Sequence, residues 1–104
     1  MSANLDKAVA IQAIYAAIDE LNPQLAEGRQ LTKAEDARIF GDGAAFDSLD
    51  LVNLVMIVEQ NIADATGEEI VLASEAAMSR KRSPYRSVEA LAEYAVEVAR
   101  GEAA

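Results

Sequence analysis

The stretch Phe46-Asp47-Ser48-Leu49-Asp50-Leu51-Val52 lies between a long connection and the most apolar helical run of the chain. Asp47 is typical of an N-cap and Asp50 of a first-turn acid, so Ser48 is predicted at the start of a helix. Backbone N–H groups and the positive end of the helix dipole converge there, which favours a phosphate group. The chain contains no His and no Cys. It therefore offers no imidazole base to activate this serine and no thiol nucleophile of its own.

The composition around this stretch predicts one helical domain spanning residues 1–104. Alanine is abundant, Pro and Gly number only two and five, and the β-branched residues follow helical spacing, so we expect an all-α fold. No apolar run reaches the ~18 residues that a membrane span needs. The N-terminus lacks a basic segment followed by an apolar one, so no secretory signal is predicted. The expectation is a cytoplasmic, monomeric protein without a membrane span.

Periodicity and capping signals divide the chain into three main helices and a short third one. In chain order the predicted ranges are Asn4 to Glu20, about Ser48 to Asp64, Ser74 to Met78, and Ser87 to about Ala99. Asn4, Ser74 and Ser87 are the predicted caps of the first, third and fourth helices. The apolar face predicted for the first helix comprises Leu5, Ala8, Ile11, Ile14, Ile18 and Leu21.

Residues 22–47 form a long connection, and a connection of this length usually has local structure or a function. Thr32-Lys33-Ala34-Glu35 matches a capping box, which predicts a turn of helix near 32–38. Its expected anchors to the core are Leu25, Leu31, Ile39, Phe40 and Phe46. After the second helix, Gly67 is the predicted C-terminal stop, and 70–72 is expected to be a packed linker.

The second helix is apolar on two sides. At about 100° per residue, its core side comprises Leu51, Leu54, Val55, Val58 and Ile62. Leu49, Val52 and Met56 form a separate second stripe, beside Asn53, Glu59 and Gln60. This second stripe either packs on a small neighbouring helix or is a partly exposed docking surface. The adaptable Met side chain favours docking.

The net charge of −9 is concentrated in one segment. Residues 41–79, which include the serine motif, hold eight acids and no base, whereas residues 80–104 hold five bases and four acids. The acidic segment would repel nucleic-acid phosphates, which argues against nucleic acid as a partner. It favours partners with basic surfaces, met through salt-sensitive steering, although a solvated face that maintains solubility explains the same pattern.

Asp47-Ser48-Leu49 and the helix that follows resemble the acyl carrier protein family, and the resemblance covers roughly Val9 to Val98. It implies a small bundle of three main helices plus a short third helix, with a long loop between helices one and two. It also implies that Ser48, flanked by Asp47 and Leu49, carries 4′-phosphopantetheine, whose thiol holds a substrate as a thioester. The positions that would dock onto partner enzymes are Leu49, Asp50, Val52, Met56 and Glu59.

The resemblance implies carriage rather than catalysis. A phosphopantetheinyl transferase with Mg²⁺ would transfer the arm from coenzyme A. Acyl-loading, ketosynthase or acyltransferase-type enzymes of fatty acid, polyketide or related specialised biosynthesis would use the cargo. Three features depart from the common pattern: Phe46 before the motif, Asn53 and Gln60 where acids are frequent, and a long basic segment from Arg80 to Arg86. An aminoacyl or peptidyl carrier uses the same serine, and an acidic helical adaptor without a prosthetic group is the alternative from another class.

Overall fold

The computed structural model of the chain describes residues 5–41, 44, 46–79 and 83–101. The helices are α1 (Lys7–Leu21), α2 (Ser48–Thr66), α3 (Glu75–Met78) and α4 (Val88–Ala99), with short 3₁₀ turns at Asn22–Gln24 and Glu27–Arg29. Within the described ranges there is no strand beyond an isolated bridge between Arg38 and Ser87. The predicted all-α fold, with a short third helix and a long connection between the first two, is confirmed. In this part of the chain, no helix combines the length and apolarity needed to cross a membrane.

Helix α1 begins later than predicted. Its cap is Asp6, whose carboxylate accepts a hydrogen bond from the Val9 backbone N–H at 2.9 Å. The prediction of Asn4 as the cap was wrong, and Asn4 itself lies outside the described residues. Asp6 has the extended backbone of an N-cap immediately before Lys7.

The core forms where α1 packs against both α2 and α4. Its fully buried side chains include Ile14, Ile18, Leu54, Val58, Ile62 and Leu91. The predicted apolar face of α1 is confirmed at Ile14, Ile18 and Leu21, while Ile11 is half-buried and packs at the edge. Leu5 is buried as predicted but lies before the helix. Ala8 is exposed, contrary to prediction, because it lines an open groove of about 520 Å³ between α1 and α2.

The connection between α1 and α2 is anchored as predicted but does not contain the predicted helical turn. Leu31, Ile39 and Phe46 are buried, and Leu25 and Phe40 are half-buried against the core. Residues 32–38 form bends and a turn instead of a helix.

The reason is a competing long-range interaction with the start of α4. Backbone N–H groups of Val88 and Glu89 donate to the carbonyls of Ala37 and Glu35 at 3.1 and 2.9 Å, and Ile39 N–H donates to the Arg86 carbonyl at 3.1 Å. The first turn of any helix has N–H groups without an intrahelical acceptor. Segment 35–39 supplies acceptors for α4, so the local capping-box signal is overridden.

The segment after α2 agrees more closely with the sequence-based prediction. Gly67 ends α2 in the left-handed region with φ of 77°, a conformation that favours glycine. Of the predicted packed linker, Leu72 is buried and Ile70 half-buried, whereas Val71 is exposed. Ser74 and Ser87 cap α3 and α4 as predicted. In the basic segment, residues 80–82 lie outside the described residues.

Candidate functional site

The start of α2 is fixed by two reciprocal hydrogen bonds. The Asp50 N–H donates to the Asp47 carboxylate at 2.9 Å, and the Asp47 N–H donates to the Asp50 carboxylate at 3.3 Å. This is a complete capping box, so the prediction of Asp47 as the N-cap is confirmed. Phe46 and Leu51 occupy the flanking positions of a hydrophobic staple, and both are buried in the core. The turn that carries Ser48 is therefore held on both sides.

Ser48 is exposed as the first residue of α2. A helix supplies no carbonyl acceptor for the N–H groups of its first turn. Here the Asp50 N–H donates to the Asp47 carboxylate, and the Leu51 N–H donates to the Asp47 carbonyl. The N–H groups of Ser48 and Leu49 therefore point their partial positive charge toward the surroundings of the Ser48 hydroxyl. The position combines an accessible hydroxyl with a local preference for an anionic group.

Arg29 is the site residue that the sequence did not predict. Its guanidinium forms an ion pair with Asp50 and lies 3.4 Å from the carboxylate of Asp47. It comes from the Glu27–Arg29 turn, eighteen positions before Asp47. The segment 41–79 has no base of its own, so the fold supplies one from the connection between α1 and α2.

Asp50, which was predicted to dock onto partners, is largely buried in the structure. Its side chain is only 11% exposed, is covered by Arg29 and accepts from the Asp47 backbone. Asp47 is the accessible acid of the pair, with 67% of its side chain exposed. Asp50 therefore stabilises the start of α2, and the Arg29 guanidinium covers its carboxylate.

The second stripe is exposed. Leu49, Val52 and Met56 retain 69%, 39% and 60% of their accessible surface, so packing of this stripe on a small neighbouring helix is wrong for this chain. Val71, 65% exposed, adds a fourth apolar side chain that the sequence assigned to the packed linker. Met56 and Val71 line an open groove of about 480 Å³ between α2 and the linker. The exposure that a docking surface requires is present.

Glu59, another predicted docking residue, is engaged within the fold. Its half-buried carboxylate accepts from the backbone N–H groups of Leu72 and Ala73 at 2.6 and 3.3 Å. The Tyr85 hydroxyl donates to the Leu72 carbonyl from the other side at 2.5 Å. Burial raises the pKa of Tyr85, and an interaction with the Ser74 backbone opposes this shift. Glu59 and Tyr85 together clamp the linker onto the bundle, and this gives Glu59 a structural role.

Comparisons with protein-family models, with curated proteins and with solved structures give no match to this chain. Its function therefore has to be inferred from the residues around Ser48 and from the exposed second stripe.

Proposed function

We propose that this chain is an acyl carrier protein, with 4′-phosphopantetheine attached to Ser48. The observation that carries the proposal is an exposed serine at the first position of α2, fixed by the Asp47–Asp50 capping box beside an exposed apolar stripe. A serine that only began a helix would need no adjoining apolar stripe left open to solvent. Exposed apolar patches next to a polar rim are typical of interaction sites.

The residues around Ser48 fit a phosphodiester-linked arm. The exposed hydroxyl leaves room for the linkage, and the first-turn N–H groups of Ser48 and Leu49 favour its negative charge. The Asp47 carboxylate opposes that charge, and the guanidinium of Arg29 offsets it at 3.4 Å from Asp47. When attached, the arm would supply the thiol that this Cys-free chain lacks, so that a cargo is held as a thioester.

The chain's own residues would then serve recognition rather than chemistry. Val52 and Met56 offer apolar contact area one and two turns from Ser48 on the exposed side of α2. The acids of segment 41–79 would attract a phosphopantetheinyl transferase and acyl-loading, ketosynthase or acyltransferase-type enzymes that present basic surfaces. The proposed role is delivery of acyl intermediates in fatty acid, polyketide or related biosynthesis.

Intact-mass measurement after incubation with coenzyme A, Mg²⁺ and a broad-specificity phosphopantetheinyl transferase tests this proposal. We expect the chain to gain the mass of one phosphopantetheine. Ser48→Ala should gain none, while Ser79→Ala, the matched control at another exposed serine, should be modified like the wild type. A folded wild-type chain that stays unmodified would contradict the proposal and favour an acidic helical adaptor, which would use the same second stripe.

Loading assays on the modified protein separate the two kinds of carrier. Transfer of acyl groups from an acyl-loading enzyme supports the acyl carrier. Loading by aminoacyl-activating enzymes alone would instead identify an aminoacyl or peptidyl carrier.

A further inference from the structure

The contact between Arg29 and the motif acids joins two segments that the sequence keeps apart. The Arg29 side chain is 43% exposed and lies over Asp50, whose side chain is 11% exposed. It also reaches the exposed carboxylate of Asp47 at 3.4 Å. The two acids on either side of Ser48 and Leu49 thus already face a cation from their own chain.

The turn that carries Arg29 is held by its own hydrogen bonds. The Arg29 N–H donates to the Ala26 carbonyl at 2.8 Å, and the Gln30 side chain donates to the Asn22 carbonyl at 3.0 Å. The Arg29 side chain is therefore the movable part of the contact. It can leave the acids without unfolding the connection, because its own backbone is fixed independently of Asp47 and Asp50.

We propose that Arg29 is an intramolecular competitor for the basic groups of a partner that approaches Ser48. This proposal rests on the proposed function, in which basic partners reach the start of α2. Any cationic side chain that binds Asp47 and Asp50 must first displace the guanidinium of Arg29. The contact is autoinhibitory because it lowers the affinity of every basic partner for Asp47 and Asp50. The affinity falls least for a partner that replaces both interactions of Arg29 at once.

The cost of displacement sets the expected size of the effect. An ion pair whose cation stays partly exposed contributes little, and its loss corresponds to about a two- to fivefold change in an equilibrium constant. A competitor of this strength lowers the affinity of basic partners without preventing their binding. A guanidinium that binds a carboxylate in bidentate geometry replaces Arg29 better than an ammonium group does. The site should therefore prefer partners that present arginine to partners that present lysine.

Two matched substitutions test the competition. Arg29→Gln removes the competing cation, whereas Lys33→Gln removes one positive charge from the same connection, where Lys33 pairs with Asp19 at 3.1 Å. Each variant is titrated with an oligo-arginine peptide while the backbone amide resonances of Ser48 and Leu49 are followed by NMR. We expect Arg29→Gln to bind the peptide about two- to fivefold more tightly than Lys33→Gln. Equal affinities of the two variants would show that only net charge matters and would overturn the proposal.

A second substitution protects the test against a structural effect. Arg29→Lys retains the charge but cannot hold two carboxylates in one planar geometry. It should bind the peptide with an affinity between those of the wild type and Arg29→Gln. If Arg29→Gln loses its dispersed amide spectrum, Arg29→Lys decides: an affinity above that of the wild type supports competition, and wild-type affinity contradicts it.

The peptide titration requires no modification of Ser48, so its outcome is separate from that of the proposed function. Steady-state modification by the transferase adds the second readout. Competition predicts a lower KM for Arg29→Gln than for Lys33→Gln, with kcat unchanged. If neither variant nor the wild type is modified, the proposed function fails, while the peptide titration still decides whether Arg29 competes.

Discussion

Two substitutions on α2 separate its core side from the second stripe. Leu54 is fully buried, and Met56, two positions later, is 60% exposed. We predict that Leu54→Ala destabilises the fold strongly, that Met56→Ala barely does, and that only Met56→Ala impairs modification of the folded protein.

The magnitudes follow from burial. Leu54→Ala loses the transfer free energy of the removed atoms and leaves a cavity in the core, which together cost roughly 2–5 kcal/mol. With 60% of Met56 exposed, about two-fifths of a burial worth 1.5–3 kcal/mol is at stake, or about 0.6–1.2 kcal/mol. The free energy of unfolding of a small domain is typically ~5–15 kcal/mol. Met56→Ala should therefore remain fully folded, and Leu54→Ala should lose a large part of its stability.

Urea denaturation followed by circular dichroism gives both free energies of unfolding. The modification rate is then measured for each variant at a temperature where it is folded. Met56→Ala should raise the KM of the transferase, because the substitution removes contact area from the exposed stripe. If Met56→Ala destabilises the fold as much as Leu54→Ala does, the stripe belongs to the core. If it changes neither stability nor KM, the stripe does not dock this enzyme.

Three further predictions concern charge and protonation. The rate at which the transferase associates with the chain should fall as salt rises, because exposed charges in segment 41–79 are screened beyond about 8–10 Å. If the association rate measured by stopped flow does not change with salt, the acids of this segment contribute to solubility and not to partner binding. Burial raises the pKa of Tyr85, so its contribution to stability is present below about pH 10 and is lost as pH rises through the folded-state pKa. Tyr85→Phe should cost about 0.5–1.5 kcal/mol near neutral pH by removing the hydrogen bond to Leu72, and should weaken the alkaline loss in urea titrations. The hydrogen bond from Lys7 lowers the pKa of Glu89. The contribution of Glu89 to stability is therefore present above the ordinary glutamate pKa and is lost as pH falls through its pKa in the folded state. Glu89→Gln should reduce the loss of stability that acid causes, measured by urea denaturation at a series of pH values.

The short-range chemistry of this chain could be predicted from its sequence. Asp47, Ser74 and Ser87 cap helices because a capping side chain bonds to an N–H two or three residues away, within one sequence window. The position of the second stripe followed from helical periodicity in the same way. Whether the stripe is packed or exposed stayed open, because periodicity does not show what covers a face.

Long-range pairing accounts for what the sequence did not predict. The capping-box signal at 32–35 failed because carbonyls of segment 35–39 accept hydrogen bonds from the start of α4, about fifty residues later. Arg29 was missed because a count of charges along the chain places no base near Ser48. The docking role of Asp50 and Glu59 stays a prediction, and the sequence did not show that their carboxylates accept hydrogen bonds from backbone N–H groups inside the fold.

Site mapping of the modified chain tests the central claim most directly. After treatment with coenzyme A and the transferase, proteolysis and tandem mass spectrometry should find phosphopantetheine on Ser48 and on no other serine. The free energy of unfolding of Ser48→Ala should lie within about 0.5 kcal/mol of the wild-type value, as is usual for substitutions at exposed positions. The folded variant should nevertheless accept no arm. Phosphopantetheine on another serine, or a folded wild-type chain that accepts none, would contradict the assignment of Ser48 as the attachment site.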